Sequence, residues 1–360
     1  MDFREFTNRL EQDLKVTLAA TAPGSRVSQG HVDKMQGQSY EAIQVMPPDS
    51  NVAMSINANQ LYGMLQDTGD YDAVLKQAMD MAKSGLDQMP AVDVADLTDY
   101  SKAKQLLCVE VVGTEANQDM LSKVPHQEME DMSMIYRLQL SESERGTSSV
   151  LVNHELLKQF GVSQEQLHQD ALENSEKLRP PVMKTMAAVM AEMMGMPEDA
   201  MTDMAPPLYV VTNESKVNGA AVMFYPDFMD QAAKQMESSF FILPSSVHEM
   251  LILPDEGANL SDLKAMVMSV NETEVSPEDK LTDQVYHYDA EARTFELGEK
   301  FEARQAERQA EMKAEKAAAK AEAKEGRSSV LKDLQHKKQD AELKPRTPSH
   351  HKSKSDPALA

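Results

Sequence analysis

The chain has 360 residues, is 41% hydrophobic, and carries 36 Lys plus Arg against 59 Asp plus Glu, a formal charge of -23. That length and apolar content suffice for a sizeable core, and the acidity sets the chain against phosphate backbones. One cysteine, Cys108, excludes an internal disulfide framework and suits a reducing compartment.

Phe3, Phe6, Leu10, Leu14 and Leu18 recur at steps of three and four, so a helix is predicted over 2–19. A loop over 20–30 leads to a strand at Tyr40–Met46, stopped by Pro47-Pro48, and a second strand at 52–56. Helices follow over 58–66 and 71–88, then a short helix over 99–104. Leu106 to Val112 reads as a buried strand in which the Cys108 thiol acts as a small hydrophobe. Strands over 135–140 and 148–152 pair as a hairpin, and helices over 154–160 and 163–177 follow. Ser163 with Gln166 three residues on is a capping-box pattern. Pro180-Pro181 reads as a break that opens a Met-rich helix.

Beyond it, strands are expected over 208–211 and 220–225, with a turn over 213–218 between them, and then a helix over 226–236. Two apolar runs, Phe240–Leu243 and Met250–Leu253, read as central strands. A helix over 260–270 and a strand over 284–288 complete the body. Strands joined by short turns and mixed with helices define a mixed α+β fold with a largely antiparallel sheet and packed helices. We expect one domain over 1–296 with a lobe boundary near 180, a charged helix over 297–326 ending at Gly326, and a disordered tail over 327–360. After Gly298 there are 15 basic and 11 acidic residues, leaving 21 and 48 before it, so the body alone is at -27. Nucleic-acid association is therefore expected of the tail and not of the body.

The polar segment between the two central strands holds Ser245, Ser246, His248 and Glu249. Two hydroxyls, an imidazole and a carboxylate make it the first candidate for ligand contact. Turn hydrogen bonds explain the same residues, since Ser caps turns readily. A hydrolase would need distant partners, for which Asn153, His154 and Asn271 are the candidates. No Gly-x-Ser-x-Gly elbow, phosphate loop or dinucleotide fingerprint occurs. Metal-ligand spacings are missing too, so no metal or cofactor is expected. Met183, Met186, Met190, Met193, Met194 and Met196, then Met201 and Met204, read as core packing, with a Met-lined groove or a Cu(I) site as the alternatives. Met1 to Phe6 lacks a signal-peptide pattern and no run is long enough to span a bilayer, so the cytoplasm is expected, with no membrane partner.

Several blocks fall in a characteristic order: Leu208-Tyr209-Val210-Val211-Thr212-Asn213, Asn218-Gly219-Ala220-Ala221, Phe241 to Glu249, Val270 to Val275 and Thr282 to Asp289, with Val124-Pro125-His126 upstream. Together they resemble an uncharacterised bacterial family, domain of unknown function 5688, over about residues 1–295. The resemblance implies a cytoplasmic bacterial protein and carries no catalytic residues. Arg327 to Leu334 resembles tails of proteins carried on mobile elements. The expectation is a non-enzymatic binding or accessory protein with a protein partner; the alternatives are a hydrolase-like enzyme bordered by 244–249 and nucleic-acid association through the tail.

Overall fold

A computed structural model describes residues 1–48, 53–88, 94–143 and 146–342. The chain divides into two units, Met1–Glu299 and Lys300–Ala360. The first helix, α1 (Phe3–Thr21), starts at Asp2, whose carboxylate accepts the Glu5 N–H while Glu5 accepts the Asp2 N–H. This reciprocal cap satisfies two backbone donors that a helix start leaves open. The apolar stripe Phe6, Leu10, Leu14 and Leu18 is fully buried, as its spacing dictates. It packs with a three-stranded antiparallel sheet, β1 (Arg26–Asp33), β2 (Ser39–Met46) and β3 (Met54–Asn57), and with α2 (Ala58–Thr68) and α3 (Tyr71–Gln88). The loop expected over 20–30 gives way to β1 at Arg26, because Val27 buries beside Val45 across the register.

The next sheet follows the short helices α4 (Val94–Thr98) and α5 (Tyr100–Ala103). It contains β4 (Leu107–Gly113), then, after α6 (Gln118–Leu121), β5 (His126–Met129), β6 (Met132–Ser143) and β7 (Gly146–Leu151). The long β6 pairs antiparallel with all three others. The helices α7 (His154–Phe160) and α8 (Gln164–Leu178) come next; Ser163 caps α8 as the sequence implies, and Asn153 caps α7. Ser175 of α8 accepts the Val109 N–H, and Asn174 donates to the Gln105 and Leu107 carbonyls. Side chains of α8 thus occupy hydrogen-bonding groups along β4, the kind of cover that sheet edges need.

Strand β8 (Pro181–Thr185) begins the third sheet, followed by α9 (Met186–Met194) and β9 (Tyr209–Asn213). Then come α10 (Phe228–Met236), β10 (Phe240–Pro244), β11 (Met250–Pro254), α11 (Leu260–Thr273), β12 (Tyr286–Asp289) and β13 (Thr294–Leu297). The antiparallel order is β13-β12-β10-β11-β9-β8, so the two apolar runs are central, as expected. Pro181 opens a strand and not a helix; it lies on the edge strand β8, where proline's missing donor costs no ladder bond. Residues 220–225 are also corrected, because Gly219–Phe224 forms a buried 3-10 helix in place of a strand. A short apolar run cannot distinguish the two by periodicity.

Buried apolar side chains form one cluster from Phe6 to Ala82 and another from Leu97 to Tyr288. The second runs across residue 180 and joins Val109, Met134 and Tyr136 to Val211, Phe240, Ile242 and Tyr286.

The final helix, α12 (Gly298–Glu342), passes through Gly326 instead of stopping there. One glycine in a helix costs only about 1 kcal/mol, and the flanking Ala, Lys, Glu and Leu are strong helix formers. The helix continues to Glu342 and so takes in 328–338, the part of the tail with the composition of a helix, while 343–360 lie outside the described residues. No helix among the described residues is long and apolar enough to cross a membrane.

Candidate functional site

Ser245 to Glu249 connect β10 to β11, and their register pairs Pro244 with Met250. The turn is closed from within. Ser246 N–H donates to the Glu249 carbonyl (3.2 Å), His248 N–H to Ser246 Oγ (3.0 Å), and Ser245 Oγ to Glu249 Oε1 (3.3 Å). Neighbouring elements then clamp it. Val247 N–H donates to the Asp279 carbonyl, Ala220 N–H to the Val247 carbonyl, and Thr212 Oγ1 to the His248 carbonyl.

His248 is half-buried, and both of its ring nitrogens are engaged. Nδ1 accepts the backbone N–H of Asn218 (3.1 Å), and Nε2 lies 3.1 Å from Asp279 Oδ1. A backbone amide can only donate, so Nδ1 holds the lone pair and Nε2 carries the proton toward Asp279. Asp279 is in turn fixed by Ser276 Oγ at 2.7 Å. A Ser-His-Asp array also has its carboxylate on one imidazole nitrogen, but there the other nitrogen takes a hydroxyl proton. Here a peptide N–H occupies that position.

Asn218 carries the connection inward. Its backbone is left-handed (φ 52), held by the preceding loop, where buried Asn213 donates to the Val217 carbonyl and accepts the Val217 N–H. Its Nδ2 donates to Glu110 Oε1 at 2.8 Å. Glu110, on β4, is 2% exposed and lies 3.4 Å from the Arg179 guanidinium and 3.5 Å from Arg137 Nε. Arg137 sits opposite Cys108 in the register, diagonal to Glu110, so pleat alternation puts both on one face. Arg179 Nε donates to Gln139 Oε1, and Arg137 Nε to Ser149 Oγ. Burial pulls the Arg179 guanidinium down, but Cys108, Glu110 and Tyr225 beside it prevail and hold it above its ordinary value.

The result is a polar latch, Arg179–Glu110–Asn218–His248–Asp279, running from the β4–β6 sheet to the β10–β11 turn. Gly219 makes room for it: a Cβ there would meet the His248 carbonyl oxygen at 2.5 Å and collide with Thr212 Oγ1. Within the latch Glu110 Oε2 accepts no hydrogen bond and is met only by Arg137 Nε at 3.5 Å, and among the described residues no hydroxyl meets the His248 lone pair.

The remaining nominated residues are engaged elsewhere. Asn153 caps α7 through the Leu156 N–H and lines a cleft of about 680 Å³ with Lys34, Asn117 and Lys123. Asn271 is buried and donates to the Thr282 carbonyl and Asp283 Oδ1. Ser245, Ser246, His248 and Glu249 are brought together, whereas none of the hydrogen bonds of Asn153 or Asn271 reaches them. No group of three or more His, Cys, Asp or Glu among the described residues is arranged to hold a metal ion. Asn218, Asp279 and Glu110 were missed in sequence. Only Glu110 carries a signal there, a carboxylate inside an otherwise apolar strand.

The methionines around α9 are a second candidate. Ala187, Ala191 and Met201 form a small buried cluster. Met193, Met194, Met196 and Met204 are 83%, 62%, 45% and 73% exposed, so the core reading fails for these four. The helix is too short to bury them: it begins at Met186, after Met183 has already been spent on β8. Gly195, left-handed at φ 63, ends it.

The fold and latch define an α+β protein whose central polar cluster serves to join sheets. The chain belongs to a family of unknown function, DUF5688, whose model matches residues 3–290. The match stops ahead of β13 and α12. No curated protein and no solved structure matches the chain.

Proposed function

We propose that the protein is a non-enzymatic binding or accessory protein of the bacterial cytoplasm, acting through a protein partner. The observation that carries this reading is the group of four exposed thioethers around α9, resting on a cluster of only three buried residues. Exposed thioethers are adaptable apolar surface, of the kind used to grip partners. That the His248 lone pair accepts a peptide N–H supports this reading over a hydrolase that would use His248 as its base. A lone buried thiol, Cys108, agrees with a reducing compartment. The likeness of the 327–334 segment to mobile-element proteins supports an accessory role beside such an element.

Full-length protein, wild type and His248→Gln, can be assayed against ester, phosphate and peptide substrate panels. The expected result is no turnover by either. Turnover of any of these substrates by the wild-type protein would overturn the reading, and its loss in His248→Gln would assign it to the turn.

A further inference from the structure

We propose that the segment 186–204 is a docking face for a basic amphipathic helix of a partner protein; this deepens the binding reading above and rests on it. The segment exposes thioethers and carboxylates together. Met193, Met194, Met196 and Met204 project into solvent, with exposed Glu192, Glu198, Asp199 and Asp203 among them. From 183 to 207 there is one basic residue, Lys184, against those four carboxylates. Lys184 is spent on Glu192 at 2.5 Å, and Glu198 accepts the Thr185 hydroxyl. Asp199 and Asp203 are exposed to water.

Charge chooses among occupants. Anionic lipid and nucleic acid are repelled by these carboxylates and by a body at -27. A second acidic body is repelled for the same reason. A segment with aliphatic side chains on one face and Lys or Arg on the other satisfies both parts of the surface. An amphipathic helix presents that pairing, its apolar face packing on flexible thioethers and its cations meeting the carboxylates.

The test uses a synthetic amphipathic helix of about 18 residues, with Leu on one face and Lys on the other. A scrambled peptide of the same composition is the first control, and a Leu/Glu version the second. Binding to full-length protein is followed by fluorescence anisotropy. The Leu/Lys helix should bind, the scrambled peptide should bind at least about tenfold more weakly, and the Leu/Glu peptide should not bind. Met193→Gln/Met194→Gln/Met204→Gln, all at exposed positions, should weaken binding by about tenfold. Asp199→Asn/Asp203→Asn should weaken it on the order of threefold and reduce its salt dependence. Equal binding of helix and scramble, or unchanged binding by the Met variant, would overturn the docking face, since both mean attraction to the acidic body alone. Absence of Leu/Lys binding also overturns it. The broader reading fails only on turnover, so the two failures are distinguishable.

Discussion

The β10–β11 turn and the 186–204 projection lie in one body but are satisfied in opposite ways. In the turn, hydroxyls, imidazole and carboxylate are occupied by backbone amides, by one another and by Asp279. In the projection, apolar groups that folding usually buries remain in water, held up by three buried residues. A dense cluster of reactive side chains can be structural when its members bond to one another and to the backbone. A run of apolar side chains can be surface when its helix is too short to turn them inward.

The sharpest break of that comparison is at Glu110. Glu110→Leu should cost about 3–5 kcal/mol, because it strands the buried Arg179 guanidinium without its carboxylate. Denaturant unfolding measures it; a loss under about 1 kcal/mol would mean that the latch does not hold the sheets together. Gly219→Ala comes next. The added methyl meets the His248 carbonyl oxygen and Thr212 Oγ1, so a loss of about 1–3 kcal/mol is expected. The same change at Gly195, where a Cβ would meet nothing within 4 Å, carries only the backbone cost of a positive φ.

A smaller effect separates buried from exposed imidazole. Burial lowers the pKa of His287, against Asp255, Asp289 and Glu296, which raise it; burial likewise lowers that of His168. The unfolded chain binds these protons at about pH 6.5 and the folded chain only below that. Stability is therefore intact above about pH 6.5 and falls as pH drops from there through the lowered folded values. His287→Gln should flatten that slope below about pH 6.5, as thermal melts at successively lower pH would show. An unchanged slope would assign the loss to other groups.

How much of this was legible in sequence depends on the element. Helix α1 was readable because Phe6, Leu10, Leu14 and Leu18 hold one period over 19 residues. Strands β10 and β11 were readable because apolar residues run unbroken between turn formers. Strands β5 and β13, four residues each, are too short to show a period. The turn's residues and their turn hydrogen bonds were legible, yet its tie to β4 was not, since Asn218, Asp279 and Glu110 join His248 only through tertiary pairing. Glu110 could have been suspected: a carboxylate in Leu107–Gly113 must either be exposed or meet a cation. The methionines misled because spacing alone does not reveal where a helix starts, and Pro181 placed that start five residues early.

The most direct test is one titration of the Leu/Lys helix into two variants of the full-length protein. His248→Gln alters the turn and should leave affinity unchanged, while Met193→Gln/Met194→Gln/Met204→Gln should lower it about tenfold. Loss of binding in His248→Gln with the Met variant unaffected would contradict the account.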